Sequence, residues 1–402
     1  MKIGFVVTHP SRGSAGTFER MHEILKHLNK ENFETTLITP FSKDVDYVTD
    51  IDMQLIPNTL SKMGISSLAY KILRRISSSS ISSGLFLSQI SIDKMVNSIK
   101  PGLEKILTEK KFDILHAVQP IAGLACGPLA KKFNIPLIIE MNNIWPEETV
   151  AQNLIKRGDE TFERLKAIEQ QNIDSSDMVN VISDQMKSYL TKNYIIDEKK
   201  IIVVPSAGPV FSDVNNTNRE NNVIYAGSVN PRAQVEIFVN SIPFVKQPTK
   251  FSISNTGDAI NKIKKITSQE GFPKVNFFWF QQRNELLDFL KRAKIGIATF
   301  HDDITWKLGI PLKPFDYLAC GLPVVINDVG NWWSDVIQKE DVGIVTSNKP
   351  HEFAQAIDTI LNDDTTWQKM HTNAINLIKT KYNWEKIVRG TLIPTYKEWI
   401  KN

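Results

Sequence analysis

Apolar runs and helix-spaced apolar positions alternate along the chain. Residues 2–8 form a nearly continuous apolar run, and Phe18, Met21, Leu25 and Leu28 then recur at helical spacing. Further short apolar runs lie at 35–39, 52–56, 112–120, 135–141, 178–182 and 201–205 and, in the second half, at 223–227, 251–255, 275–280, 294–299, 324–326 and 342–346. Strands that are apolar throughout are typical of parallel sheets buried on both faces. The alternation predicts an α/β fold of the doubly wound type.

A polar stretch divides this pattern into two halves. Residues 206–222 are rich in Gly, Pro, Asn and Ser, as expected for a linker. The length of 402 residues also exceeds one ordinary core and suits two domains. We predict an N-terminal domain over 1–208, a linker over 209–222, a C-terminal domain over 223–383 and a terminal helix over 384–402.

Composition and charge exclude several classes of protein. The hydrophobic content of 42% and charged content of 23% suit a globular protein, and no run approaches the roughly 18 apolar residues of a membrane span. The net charge of +4 is too mild to indicate nucleic-acid binding. Cys126 and Cys320 lack metal-like spacing, so neither zinc nor a disulfide is expected. The N-terminal strand differs from a signal peptide, which predicts a cytoplasmic protein.

The stretch 306–329 combines turn, helix and strand signals with charged residues. Pro314 suits the start of a helix, and Gly321 suits the left-handed residue that ends one. Free N–H groups before such a helix favour an anion such as phosphate; the loop that would supply them consists of Gly309, Ile310, Pro311 and Leu312. Lys313 adds a positive charge, and Asp316 adds an acceptor for two neighbouring hydroxyls. Phosphate with a vicinal diol describes a nucleotide's ribose phosphate, whereas ordinary helix capping is the alternative.

The same stretch resembles the donor-site signature of the retaining, nucleotide-sugar-dependent glycosyltransferases of the GT-B fold, family 4 in particular. The matching positions are Pro311, Lys313, Phe315, Asp316, Tyr317, Ala319, Gly321, Pro323, Val324 and Val325. The resemblance implies a GT-B architecture, in which two doubly wound Rossmann-like domains face each other across a cleft and the helix over 384–402 crosses back to the first domain. It also implies that Asp316 binds the donor ribose and that the backbone of 309–312 holds the diphosphate.

Two further segments of the second half resemble the donor side of this family. Residues 223–232 are similar to its glycine-bearing loop, but Ser228 and Ala233 stand where the family carries an Arg and a Lys. We expect Arg232 to reach the diphosphate as a bidentate guanidinium, with a surface charge as the alternative. The additional donor-side candidates are Gly227, Ser228, Arg232 and Gln281. The last of these lies in the loop that packs on the nucleobase, and the resemblance implies a UDP- or GDP-linked sugar as donor substrate, with no cofactor and no bound metal.

The first half carries the acceptor side of the resemblance. Residues 112–120 are similar to a family segment with two histidines, of which His116 matches and the second is Val118. His116 is a candidate catalytic residue, with a satisfied buried histidine as the alternative. Asn142 and Asn143 are further catalytic candidates, because they follow a strand at the edge where open α/β sheets bind ligands, whereas turn formation is the alternative. The resemblance also places two glycines on the acceptor side, Gly13 and Gly16.

Residues 59–96 differ in character from the rest of the first half. Basic residues punctuate apolar ones, and a serine-rich run at 77–83 interrupts them. This pattern predicts either a basic amphipathic surface that contacts an anionic membrane or a solvated segment packed against its own domain. The first alternative makes the protein peripheral on the inner face of the membrane.

The sequence as a whole predicts a metal-independent glycosyltransferase. It would move a sugar, with retention of configuration, from a nucleotide-diphosphate sugar to a hydroxyl of a glycan, a lipid-linked acceptor or a cell-surface polysaccharide precursor. A catalytically impaired GT-B protein that serves as a binding or scaffold partner is the alternative, because Val118, Ser228, Ala233 and Leu308 each replace a polar group of the family. A sugar-nucleotide epimerase would need acid and base residues that are not evident.

Overall fold

A computed structural model describes residues 1–8, 15–40, 51–56, 88–214 and 219–400. The chain divides into two compact units, of which the first comprises Met1–Pro205 with Ile387–Asn402 and the second comprises Ser206–Lys386. Each unit is built on one parallel sheet. None of the helices within the described ranges is both long enough and apolar enough to cross a membrane.

The first unit contains a seven-stranded sheet. Its strands are β1 (Lys2–Val7), β2 (Glu34–Thr39), β3 (Asp52–Leu55), β4 (Ile114–Val118), β5 (Leu137–Met141), β6 (Met178–Val181) and β7 (Ile201–Val203). They lie in the order β3-β2-β1-β4-β5-β6-β7. The helices are α1 (Ala15–Lys30), α2 (Gln89–Glu109), α3 (Pro120–Phe133), α4 (Trp145–Ala151), α5 (Glu160–Ser175) and α6 (Asp184–Asn193), and the chain returns to this unit with a π-helical turn, Val388–Leu392, and a C-terminal helix, Ile393–Ile400.

The second unit contains a six-stranded sheet. Its strands are β8 (Asn222–Tyr225), β9 (Lys250–Ser254), β10 (Val275–Phe278), β11 (Ile295–Ala298), β12 (Val324–Asn327) and β13 (Gly343–Thr346). They lie in the order β10-β9-β8-β11-β12-β13. The helices are α7 (Val235–Ser241), α8 (Ile260–Thr267), α9 (Arg283–Leu290), α10 (Ile304–Leu308), α11 (Lys313–Ala319), α12 (Trp332–Glu340), α13 (Pro350–Asn362), α14 (Asp364–Thr380) and α15 (Trp384–Ile387), the last of which ends where the π-helical turn begins.

The predicted fold class is confirmed. Strands β4, β5, β8, β11 and β12 are buried along their whole length, as expected for strands covered by helices on both faces. Every strand pair in both sheets is parallel. Parallel strands end at the same edge of a sheet, so the loops that follow them bring distant parts of the sequence together.

Two regions of the first unit differ from expectation or lie beyond the described residues. Gly16 lies in the first turn of helix α1, not in the loop that was predicted to extend to it, because that helix already begins at Ala15. Gly13 lies outside the described residues. Of the segment proposed for membrane contact, only residues 88–96 are described, and they form the beginning of helix α2.

The boundaries predicted for the central short helix are confirmed. Helix α11 has Pro314 in its first turn and ends before Gly321, whose φ of +71° is left-handed. A Cβ at Gly321 would lie 2.5 Å from the ring of His371 on helix α14. This ring cannot move aside, because it is buried and its Nδ1 is hydrogen-bonded to the Gly321 carbonyl at 2.6 Å.

We expect Gly321→Ala to lower the free energy of unfolding by about 2–4 kcal/mol, because left-handed strain adds to the clash with His371. Gly330→Ala is the matched control, since Gly330 has a φ of +65° with open space around its Cα. That variant should lose only the strain of about 1–2 kcal/mol. Urea unfolding of both variants measures the two losses in free energy of unfolding. Equal losses would mean that the clash with His371 contributes nothing.

Candidate functional site

Lys313, the first residue of helix α11, carries a partly buried positive charge in the second unit. Its Nζ donates to the Tyr225 hydroxyl at 2.9 Å and stands 4.7 Å from the centroid of that ring. Gly227 makes room for it, because a Cβ there would lie 2.5 Å from Lys313 Cδ. Burial lowers the pKa of Lys313 to about 8. The structure therefore brings together two predicted site residues, Gly227 and Lys313, at the end of strand β8.

A buried tyrosine anchors helix α11 to the same strand end. The Tyr317 hydroxyl accepts a hydrogen bond from the Ala226 backbone N–H at 2.7 Å. Its ring occupies the space above Gly296 in strand β11, where a Cβ would lie 2.4 Å from the ring. Helix α11 is thus held by both neighbouring strands, which limits how far Lys313 can move from Gly227.

Asp316 lies one helical turn after Lys313 and is paired. Its Oδ1 accepts a hydrogen bond from Arg283 Nη2 at 2.6 Å, and the two side chains are 14% and 32% exposed. Burial raises the pKa of Asp316, although the Arg283 guanidinium opposes that rise. Arg283 begins helix α9 and was not among the predicted site residues. No local pattern could have paired two residues so far apart in sequence.

The loop from Gly309 to Leu312 offers fewer free N–H groups than predicted. The Gly309 N–H donates to the Thr305 carbonyl at 2.9 Å, because helix α10 ends at this point. Pro311 has no N–H, and its carbonyl accepts from Trp333 Nε1 at 2.9 Å. The expected anion cradle is therefore reduced to the N–H groups of Ile310 and Leu312.

Arg232 is held by the loop that follows strand β11. Its Nε lies 3.7 Å from Asp303 Oδ2, its Nη2 contacts the Thr305 hydroxyl, and its Cζ lies 5.1 Å from the Trp306 ring centroid. Asp303 also caps helix α10 by accepting from the Thr305 N–H at 2.9 Å. In the free protein this guanidinium is thus committed to neighbours, and its predicted contact with a diphosphate would have to compete with them.

The remaining donor-side candidates are exposed. Ser228 follows Gly227, and its carbonyl accepts from the Tyr225 hydroxyl at 3.1 Å. Gln281 lies in the loop after strand β10, close in sequence to Trp279, whose side chain is 61% exposed. Within the described ranges, no three His, Cys, Asp or Glu side chains are grouped so that they could hold a metal ion.

In the first unit, His116 is a buried structural residue. It has no exposed surface, its Nδ1 is 2.8 Å from the Tyr396 hydroxyl, and its ring stacks on Phe5 at 4.5 Å. A residue that acts on substrate must be reachable, and the burial of His116 leaves no such access, so its catalytic role stays a prediction that this position does not favour. The alternative of a buried histidine agrees with this position, with Nδ1 bonded to Tyr396, although Nε2 has no hydrogen-bond partner among the described residues.

The group that holds His116 is a buried charge network centred on Glu140 of strand β5. Glu140 accepts from Arg20 Nε at 3.1 Å and from Asn180 Nδ2 at 2.9 Å, and its Oε2 lies 3.2 Å from His116 Nε2. Burial would raise the pKa of Glu140, but the positive charge of Arg20, with a further contribution from His116, brings it down to about 2. These residues lie on separate elements, so the sequence offered no local signal for the network.

Asn142 and Asn143 follow strand β5 and are partly buried. Both polar atoms of the Asn142 amide are shielded from water and have no hydrogen-bond partner among the described residues. Buried polar groups are normally satisfied, so this amide is an exception that the described residues do not account for. Glu169 stabilises this loop, because its carboxylate accepts a hydrogen bond from the Trp145 N–H at 2.6 Å. The roles predicted for Asn142, for Asn143 and for Gly16, which is exposed, stay predictions.

Two family profiles match consecutive parts of this chain. The profile described as Glycosyltransferase Family 4 matches residues 15–207, and the profile described as Glycosyl transferases group 1 matches residues 220–363. Among curated proteins, D-inositol 3-phosphate glycosyltransferase from Corynebacterium glutamicum is 21% identical over 300 residues, which cover 68% of this chain and 69% of that protein.

Solved structures show the same fold over the whole chain. Sucrose-phosphate synthase from Thermosynechococcus elongatus superimposes with a TM-score of 0.75 at 15% identity, covering 100% of this chain and 99% of that one. HepE from Anabaena, in complex with UDP and glucose, gives a TM-score of 0.71 at 13% identity, covering 99% and 100%. With both halves matched by glycosyltransferase profiles and the fold shared throughout, the chain belongs to the GT-B glycosyltransferases of the group 1, family 4 type.

Proposed function

We propose that this glycosyltransferase moves a sugar from a UDP- or GDP-linked donor to an acceptor hydroxyl of a glycan or lipid-linked molecule, with retention of configuration and without a bound metal. The observation that supports it most directly is the placement of Lys313 and Asp316, one turn apart on a helix that is hydrogen-bonded at the carboxyl end of β8 and packed on Gly296 of β11. This edge is where open α/β sheets bind nucleotides. HepE, a structural neighbour, was solved with UDP and glucose bound.

Each side chain has a part in the proposed reaction. The bond between the sugar's anomeric carbon and the diphosphate oxygen breaks, and a bond from that carbon to the acceptor oxygen forms on the same face. Negative charge develops on the leaving diphosphate, and Lys313 with the N–H groups of Ile310 and Leu312 stabilises it. The diphosphate, a basic oxyanion on that face, takes the acceptor's proton. Asp316 accepts from the ribose hydroxyls and so fixes the donor.

Acceptor hydroxyls need partners as well. The unpartnered Asn142 amide can both donate to and accept from a hydroxyl, which suits a carbohydrate. The relative named D-inositol 3-phosphate glycosyltransferase uses a polyhydroxylated acceptor by its name, and a polyol or sugar is the acceptor class that we propose here. Asn142→Ala should therefore weaken acceptor use without changing nucleotide binding.

Calorimetric titration with UDP, GDP and ADP tests the donor site. We expect one nucleotide to bind, and Asp316→Ala to weaken it by about 10- to 150-fold, because a hydrogen bond to a charged group contributes about 1.5–3 kcal/mol. Asp288→Ala is the control, since that carboxylate is 70% exposed on the neighbouring helix α9. A folded protein that binds none of the three would contradict the proposed function.

A further inference from the structure

The ion pair between Arg283 and Asp316 links the beginning of helix α9 to helix α11. The Nη2–Oδ1 distance of 2.6 Å is that of a strong, charge-assisted hydrogen bond. Within the described part of the chain, Arg283 is the one hydrogen-bond partner of this carboxylate. Oδ2 therefore keeps its lone pairs for another donor. Since Asp316 is 14% exposed, a ligand at the sheet edge can reach it.

An ordinary surface ion pair does not explain this arrangement. Exposed pairs contribute little to stability, whereas Asp316 sits in a largely buried position where an ionised carboxylate is disfavoured without a cation. The titratable and charged groups on the elements around it are Arg283 on α9, Tyr317 on α11, Cys320 directly after α11, Lys291 and Arg219 near Cys320, and His371 of α14 against Gly321. Of the cations in this set, Arg283 alone bonds the Asp316 carboxylate. Arg283 thus favours the ionised form of Asp316 and opposes the rise in its pKa that burial causes.

We infer that Arg283 is a positioning residue of the donor site: its guanidinium orients and ionises Asp316 so that this carboxylate receives both hydroxyls of the nucleotide ribose. The inference rests on the proposed function, because it assigns a role within the same site. An ionised carboxylate has lone pairs for two hydroxyls beyond the one that Arg283 uses. A carboxylate that rotated freely, or took up a proton, would lose that geometry. Arg283 therefore acts on the ribose through Asp316 and does not touch the diphosphate.

The test compares a nucleoside diphosphate with its 2′-deoxy counterpart, using whichever of UDP, GDP and ADP binds most tightly. Calorimetry should show that the wild-type protein prefers the ribose form by about tenfold or more, as expected for a hydrogen bond to a charged group. In Arg283→Gln that preference should fall to about twofold, mainly through weaker binding of the ribose form. Arg283→Lys keeps the charge but lacks the planar fork, so its preference should be intermediate.

The pH dependence of the same ratio separates positioning from a merely structural role. Both ligands carry the same diphosphate, so its titration cancels in the ratio. In Arg283→Gln the residual preference should fall as the pH is lowered, because Asp316 without the guanidinium takes up a proton at a higher pH than in the wild-type protein, whose ratio should change less over the same range. Thermal unfolding checks that the variants are folded. If Arg283→Gln is unfolded, the ribose preference of Arg283→Lys and its pH dependence test the inference instead.

The failure of this inference can be told apart from the failure of the proposed function. If both substitutions weaken the two ligands equally and leave the ratio unchanged, Arg283 contacts the diphosphate or only joins the helices, and the inference is wrong while the donor site stands. If Arg283→Lys behaves as wild type in ratio and pH profile, the guanidinium geometry has no role. If the wild-type protein binds no nucleotide, both are overturned.

Discussion

Replacing Lys313 by methionine is expected to lower kcat by about 100- to 1000-fold in the proposed reaction, because it removes a fixed positive charge from the place where the leaving diphosphate gains negative charge. Methionine keeps the length and apolar contacts of the stem, so the fold should persist. The loss should exceed the loss in nucleotide affinity, since the developing charge is greater in the transition state than in the bound donor. Single-turnover kinetics with the donor identified by titration measures both effects.

The pKa of Lys313 gives this prediction a pH signature. Burial lowers that pKa to about 8, so the ammonium is charged below this value and loses its proton above it. Nucleotide affinity should therefore be flat from pH 7 to about 8 and fall as the pH rises further, by at most tenfold per pH unit. In Lys313→Met this fall should disappear. An unchanged alkaline limb in the variant would mean that another group is responsible.

A further variant tests whether the position of the Lys313 charge matters, and a second variant serves as its control. Gly227→Ala introduces a Cβ 2.5 Å from Lys313 Cδ, so the flexible lysine must swing aside while its charge is kept. We expect this variant to lose much of the affinity and kcat with little loss of stability. Lys369→Met is the matched control, because that side chain is 68% exposed and pairs with Asp341 on the surface. If Lys369→Met matches the effect of Lys313→Met, general charge and not the site is the cause.

The extent to which the sequence could predict this molecule differs between backbone and side chains. Apolar runs marked the strands of both sheets, and Pro314 and Gly321 marked the two ends of helix α11, because proline and glycine restrict the backbone locally. Such local rules do not indicate which hydrogen-bond partners a neighbouring element supplies. The loop before α11 was expected to offer free N–H groups, but helix α10 ends there and takes up the one on Gly309.

Pairs between distant residues explain the rest of the difference. Tyr225 and Arg283 hold Lys313 and Asp316, yet they lie 88 and 33 positions away in sequence. His116 shows the same limit: the sequence left open whether it is a catalytic residue or a buried one, and it did not indicate which side chain would contact the ring. The C-terminal helix supplies Tyr396 to its ring from 280 positions away and leaves no surface for a substrate. Such long-range contacts depend on topology, which a single sequence does not display.

The second large effect is expected at Arg20, on the charge network of the first unit. Arg20→Met should lower the free energy of unfolding by about 3–5 kcal/mol, because it leaves the carboxylate of Glu140 buried without its compensating charge. Arg20 also donates to the Val204 carbonyl at 2.7 Å, so the same substitution releases the segment after strand β7. Urea unfolding at pH 7 measures the loss. Arg389→Met is the matched control, since Arg389 is 57% exposed in its pair with Glu31 and should lose less than about 1 kcal/mol.

The dependence on pH shows whether charge, not packing, causes the Arg20 effect. In the folded protein the pKa of Glu140 is about 2, below its value in the unfolded chain, so its contribution is complete above the unfolded value and is lost as the pH falls through the folded one. In Arg20→Met burial acts without that cation, the pKa rises above the unfolded value, and stability instead falls as the pH rises. The two proteins should therefore differ most at pH 7, and the difference should shrink to less than half by pH 3.5. An equal difference at both pH values would mean that Arg20 stabilises the unit through packing and its bond to Val204 alone.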